Sequence, residues 1–331
     1  MRVIRFFLWS LVWLVVLVWG IWAFGALYFD FPIVRLGALA AGALAVAVVG
    51  TIIFARPALT RLLVVVSMLA VVTAWWFTLK PSNGRNWQPD VAETAWAEIE
   101  GDTVTLHNIR NFDYRTETDF TPHWETRTVR LSQIAGVDLA ITYWGSPLIA
   151  HPIASFRFAD AVPVCISIET RKAVGQSYSA VRGLYRQFTL IYIVADERDP
   201  IRLRTNYRKG EDVYLYRTLA TPEQARRRFL EYINTINALH AQPRWYNAVT
   251  TNCTTAIRAQ RPTGQRAPWD WRILANGKAD ELLYGRHVIA DGGISFAELK
   301  QRSHINERAR AADQDPEFSQ RIREGVPGFR P

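Results

Sequence analysis

Two cysteines occur in 331 residues, and one of them stands where its sulfur could react. In "WYNAVTTNCTTAIRAQRP" (245–262) a loop rich in Asn and Thr leads into Cys253, and "TTAIRAQ" reads as the first turns of a helix. With Thr251 or Asn252 as the cap, Cys253 falls in the first turn. There, unpaired amide N–H groups and the positive end of the helix dipole favour thiolate over thiol. The same amides can donate to an oxyanion formed on an attacked carbonyl. Asn252, Thr254 and Tyr246, which flank the sulfur in sequence, are the candidates for oxyanion or substrate contacts. The competing reading of Cys253 is a small packing residue, since free cysteine is often buried.

A thiol nucleophile needs a base, usually histidine within hydrogen-bond reach. Of six histidines (107, 123, 151, 240, 287 and 304), His151 is the best placed. It heads "HPIASFRF", directly after the Gly- and Pro-bearing "WGSPLIA", and a residue at a strand end can point into a cleft. His107 lies within an alternating strand and the others in helical or surface contexts. For a third group, "VCISIET" (164–170) puts Cys165, Ser167 and Glu169 on one face and Ile166 and Ile168 on the other. If this strand pairs with 152–158, Glu169 can orient His151. The bland alternatives are a turn histidine and a solvated glutamate, with Cys165 a packing residue.

Other chemistries find little support. No Walker loop and no G-x-G-x-x-G is present, so no cofactor is expected, and "GQSYS" (175–179) departs from the serine-hydrolase elbow at its last position. The histidines show neither H-E-x-x-H spacing nor pairing with cysteines, so no metal site is expected.

The elements that hold these residues divide the chain. Residues 6–29, 36–55 and 62–79 carry no charge, giving runs of 24, 20 and 18 residues. A hydrocarbon core about 30 Å thick needs roughly 20 apolar residues as helix, so three transmembrane helices are expected in residues 1–80. Arg2 and Arg5 precede the first run and Arg56 and Arg61 separate the second from the third. That excess puts the N-terminus in the cytoplasm and residues 81–331 outside, in a bacterial periplasm beyond the inner membrane. Trp75, Trp76 and Trp87 fit an interfacial belt at the exit of the third span. The net charge is +9, of which the outer part carries only +4. This modest excess favours a membrane surface over nucleic acid as partner.

In the outer domain, strands are expected at 103–112, 125–131, 152–158, 164–170, 187–195, 201–207 and 212–218, with turn residues between several of them. The period then changes. "TPEQARRRFLEYINTINALHAQP" opens as a capping box at Thr221, with Ala225, Phe229, Ile233, Ile236 and Leu239 as an apolar stripe. Arg226, Arg227 and Arg228 read as its solvated face. Short helices follow, so the fold class is α+β with an antiparallel sheet.

The segments "SIETRKAVGQSYSAVRGLYRQFTLIYIVADERDPIRLRTNYR" and "WYNAVTTNCTTAIR", with "RNFDYRTETDFTPHWETRTVRL" and "AHPIASFRF" upstream, resemble the family of the Lnb N-terminal periplasmic domain. The likeness spans about residues 90–325. That family is similar to circularly permuted papain-like proteins of the NlpC and lecithin-retinol acyltransferase type, in which the His-bearing strand precedes the Cys-bearing helix, as in His151…Cys253. Lnb is a lipoprotein N-acyltransferase that moves an ester-linked acyl chain of a diacylglyceryl lipoprotein onto its N-terminal amine. The resemblance implies Cys253 as nucleophile, His151 as base, a membrane lipid or lipoprotein substrate and an acyl-Cys intermediate. Pro152, next to the histidine, can alter local strand pairing. Two other classes stay open: a Cys amidase or peptidase acting on cell-wall peptides, and a non-catalytic envelope binding module. A buried Cys253 out of reach of histidine, or a Cys165–Cys253 disulfide, would favour the last.

Overall fold

The computed structural model describes residues 2–260, 264, 266, 268–273 and 275–329, so positions 261–262 of the cysteine stretch lie outside them. The chain divides into two compact units. The first comprises Met1–Ser82, Ser177–Thr189 and Trp245–Ala248, and the second the remaining segments.

The first unit holds three helices long and apolar enough to cross a membrane: α1 (Arg2–Asp30), α2 (Val34–Phe54) and α3 (Ala58–Thr78). Val16, Ala23 and Ala26 of α1 and Val65, Leu69 and Val72 of α3 form their shared apolar core. The loop 177–189 is pinned to their ends. Tyr185 lies on Gly25, where a Cβ would stand 1.9 Å from its hydroxyl, so only glycine admits the ring. Asp30 accepts from Trp76 Nε1 (2.8 Å), Gln187 Nε2 (2.8 Å) and Arg186 N (3.1 Å). The Arg186 guanidinium rests 3.8 Å over the Trp76 ring and donates to the carbonyls of Trp76 and of Leu79, just past the end of α3. Trp75 and Trp76 thus belong to this cluster. Trp87 does not fit the expected belt: it is buried in the second unit with Arg171 over its ring at 4.4 Å.

Among the described residues ten strands follow, all but the first residue of β9 in the second unit: β1 (Trp96–Glu100), β2 (Thr103–Arg110), β3 (Asp113–Tyr114), β4 (Phe120–Thr121), β5 (Trp124–Arg130), β6 (Ile134–Trp144), β7 (Ser146–Phe158), β8 (Val164–Arg171), β9 (Thr189–Asp196) and β10 (Glu211–Arg217). Eight of them form one sheet in the order β1-β2-β9-β8-β7-β6-β10, with β5 added on β2, while β3 and β4 make a separate hairpin. The ladders β1–β2, β2–β5, β6–β7, β7–β8 and β6–β10 are antiparallel, while β2 and β9 run parallel through Arg110 and Ala195, so the sheet is mixed rather than purely antiparallel. Strands β7 and β8 pair with Ile153 opposite Ser167 and Ser155 opposite Cys165. That register continues toward His151 and Glu169.

Two differences from the sequence expectations have identifiable causes. Strand β6 escapes notice because Gly136 and the fully buried Asp138 interrupt its apolar run; Asp138 is compensated by Arg157 and Arg323. Residues 201–207 alternate like a strand but form α4 (Pro200–Arg202) and a π-helical turn (Leu203–Tyr207). Pro200 suits a first helical position, and the arginines that mimic an exposed strand face are instead buried in ion pairs. Helix α5 (Pro222–Ala241) opens with the expected Thr221–Gln224 capping box. Its buried Phe229 meets Phe156 and Phe158 edge-on. Later come α6 (Cys253–Ala259), α7 (Ala279–Gly285), α8 (Phe296–Ser303), α9 (Asn306–Ala311) and α10 (Phe318–Arg321).

Asp199, fully buried just before α4, ties that segment to the end of β2: its Oδ1 accepts from Arg110 Nε (2.8 Å) and Nη2 (2.6 Å), and its Oδ2 from the Phe112 amide (2.9 Å). Removing one partner of such a pair strands the other charge. Asp199→Ala is expected to cost about 3–5 kcal/mol in denaturant unfolding of the full chain in detergent. A loss below about 1 kcal/mol would show that Arg110 finds other compensation.

Candidate functional site

Helix α6 starts at Cys253 because its cap is complete. Asn252 Oδ1 accepts from the Thr255 amide (3.0 Å), and Thr255 Oγ1 accepts from the Asn252 amide (2.9 Å). The Ala256 amide bonds the Asn252 carbonyl (2.8 Å), which leaves the amides of Cys253 and Thr254 without an intrahelical partner. Thr254 Oγ1 lies 2.7 Å from the Ile273 carbonyl and 3.0 Å from Asn252 Oδ1, tying the helix start to the segment after it. The side chains of Asn252 and Thr254 therefore act within the cap. Tyr246 belongs to the first unit, where its hydroxyl lies 3.4 Å from that of Tyr178.

Cys253 is half-buried, and it lies close enough to His151 to favour the charged imidazole. On the imidazole, Nε2 is occupied: Ser167 Oγ lies 2.7 Å away and Glu169 Oε1 3.2 Å. Ser167 also donates to Glu169 Oε1 (2.7 Å), so a charged imidazole can give its Nε2 proton to Ser167 while Ser167 gives its own to the carboxylate. Behind Glu169 stands Arg204, which donates to the same Oε1 (2.9 Å) and to Glu211 Oε2 (3.0 Å). The result is a chain running Cys253, His151, Ser167, Glu169, Arg204, Glu211.

Its charges are mutually dependent. Burial, the largest influence, disfavours a charged His151, as does Arg204, but the Glu169 carboxylate together with the neighbouring Cys253 outweighs them, so its pKa is pushed up to about 9. Burial works against ionised Glu169 as well, yet His151 and Arg204 hold it well below the usual carboxylate range. Sequence pointed to Cys253, His151 and Glu169, and the structure brings them together. It did not single out Ser167 as a link, although that residue lies on the same strand face, nor Arg204, hidden in the segment expected as a strand.

Supporting contacts hold the helix and strand together. Arg228 reaches from α5 to the Ile257 carbonyl of α6 (3.1 Å), so it is not part of a solvated face; Arg227, exposed, is. Asn276 bridges both sides of the site: its Oδ1 accepts from the Ala150 amide (2.8 Å), and its Nδ2 lies 3.6 Å from the Cys253 sulfur. Neither the type nor the position of Asn276 is distinctive in sequence. Cys165 is fully buried in a core with Ile153, Ile201 and Phe318, and burial pushes its thiol well above the ordinary value. Both cysteines are free thiols.

Residues 120–277 match the family model described as the Lnb N-terminal periplasmic domain, the family that the sequence resembles. The match includes every residue of the chain from Cys253 to Glu211, and Asn276. No curated protein and no solved structure matches. The three apolar helices and this description together support a membrane protein with a periplasmic segment.

Because the folded-state pKa of His151 lies above the ordinary 6.5, its pairing stabilises the fold fully below that value and loses this effect as pH rises through about 9. The gap in Tm between wild type and His151→Gln should be widest near about pH 6 and narrow by about pH 10. A gap that stays constant or widens with pH would mean that His151 is neutral in the folded protein.

Proposed function

We propose that the protein is a membrane-anchored thiol acyltransferase or ester hydrolase that works through an acyl-Cys253 intermediate on lipid or lipoprotein esters. The observation that carries this reading is a cysteine at the capped start of α6 beside His151, whose Nε2 is held by Ser167 and Glu169. Cys253 sulfur attacks the ester carbonyl carbon while its proton resides on His151. The tetrahedral intermediate collapses to the thioester, and the departing alkoxide takes the imidazolium proton. In the second half, an amine or water attacks the thioester carbonyl, gives its proton to His151 and expels the thiolate. Glu169 and Arg204 keep the imidazole in one orientation through both halves.

Apolar surface beside this chemistry favours a lipid ester over a cell-wall peptide. Leu148 and Ile149, exposed, come just before His151. Trp269 and Trp271, also exposed, lie on the segment whose Ile273 carbonyl holds Thr254. Three spans would anchor the chain in a membrane that holds such esters, with the N-terminus cytoplasmic and residues 81–331 periplasmic at the inner membrane. Cys253 beside a histidine, and free of disulfide, speaks against a non-catalytic module.

The test is product mass. Full-length protein in detergent, mixed with a diacylglyceryl lipopeptide, is expected to move an ester-linked chain to the N-terminal amine or release it as fatty acid. Cys253→Ala should abolish this, and His151→Ala should slow it by about 10²–10⁴-fold. An unchanged lipopeptide beside a cleaved cell-wall peptide would replace this reading with the amidase.

A further inference from the structure

Asn276 touches the nucleophile yet has no part in the acid–base chain. We propose that it is a catalytic residue for the acyl transfer read above, and that its Nδ2 donates to the oxyanion of the tetrahedral intermediate on Cys253. The inference rests on that reading and adds the group that stabilises the developing charge.

Orientation is the first argument. An amide has one accepting and two donating ends, and the Ala150 N–H holds Oδ1 at 2.8 Å. The donating end is thereby turned to the sulfur, 3.6 Å away. Ala150 immediately precedes His151, so one hydrogen bond registers the proposed donor against the strand that carries the base.

Rigidity is the second. The 3-10 turn Asn276–Lys278 lies directly against β7: a Cβ at Gly277 would stand 2.3 Å from the Pro147 carbonyl oxygen and 2.5 Å from the Leu148 carbonyl carbon. Only glycine permits this approach, which holds the neighbouring Asn276 close against the strand. A preorganised donor of this kind costs no rearrangement when charge appears.

Reach is the third. The oxyanion is attached to the carbon that the sulfur has just bonded. A donor in contact with the sulfur can therefore lie within about 3 Å of that oxygen, the distance an effective donor requires. The bond to sulfur is weak in the resting state, so the interaction strengthens as charge moves to oxygen, which is what accelerates a step. The Cys253 amide, free of an intrahelical partner, supplies a second donor. Asn252 and Thr254 are held in the cap and do not compete for the role.

The experiment compares two reactions of one thiol in the full chain. Acylation by a p-nitrophenyl ester passes through an oxyanion and is read as a nitrophenolate burst. Alkylation by iodoacetamide displaces iodide at a methylene and forms none. The ratio of the two rates cancels changes in the amount of thiolate, and Cys253→Ser supplies the background. Asn276→Ala should lower the ratio by about 10²–10³-fold. Asn276→Asp, which keeps the acceptor for the Ala150 amide and removes the donor, should lower it at least as far. A ratio unchanged in Asn276→Asp, whatever happens to the separate rates, overturns the proposal and leaves Asn276 a strand anchor. No burst in wild type, with alkylation intact, overturns the acyl-transfer reading itself.

Discussion

A charged imidazole in a buried place survives only if something opposite stands beside it, and the rest of this site follows from that requirement. His151 is 6 % exposed, and the carboxylate of Glu169 makes its positive form the stable one. Glu169 would itself be costly if only His151 answered it, but Ser167 and Arg204 also donate to the same oxygen. Arg204 in turn is shared with Glu211. Each charge is tolerable because the next is present, and the series ends near the sulfur with a proton donor fixed in direction. Such an arrangement is suited to a reaction that makes and destroys a thiolate.

The sheet provides the spacing. Antiparallel pairing of β7 with β8 sets the base opposite the carboxylate, and the register between Ile153 and Ser167 leaves no choice in which residues meet. A slip of one residue would send Glu169 to the other face and put Ile168 in its place. The helix that bears Cys253 is placed by different means. Its cap fixes the first turn, Arg228 holds its far end and Asn276 links its start to β7. Rigid strands and a short, well-held helix thus bring groups a hundred residues apart in the chain to one point.

Much of this was legible in the sequence because its signals are local. Uncharged runs mark α1 to α3, alternation marks most of β2, β5 and β7 to β10, and the Asn-Thr loop before an alanine-bearing turn marks α6. Cys253, His151 and Glu169 were recoverable because thiol chemistry requires those residue types and a strand pair can join the last two. What stayed hidden depends on distant partners. The run 201–207 looks like a strand until Glu169 and Glu211 are known to bury Arg204. Strand β6 looks like a loop until Arg157 and Arg323 compensate Asp138. Asn276 lies in an unremarkable "ANGK", and only the fold reveals the Ala150 amide that orients it.

The central claim is that Cys253 carries the acyl chain. It is tested most directly by the intact mass of the protein, trapped during single turnover with a diacylglyceryl lipopeptide whose N-terminal amine is blocked. The account predicts one fatty-acyl mass on wild type, mapped to the peptide holding Cys253 and released by neutral hydroxylamine. Wild type and Cys253→Ser turning over the lipopeptide equally well, with no adduct on either, would contradict it.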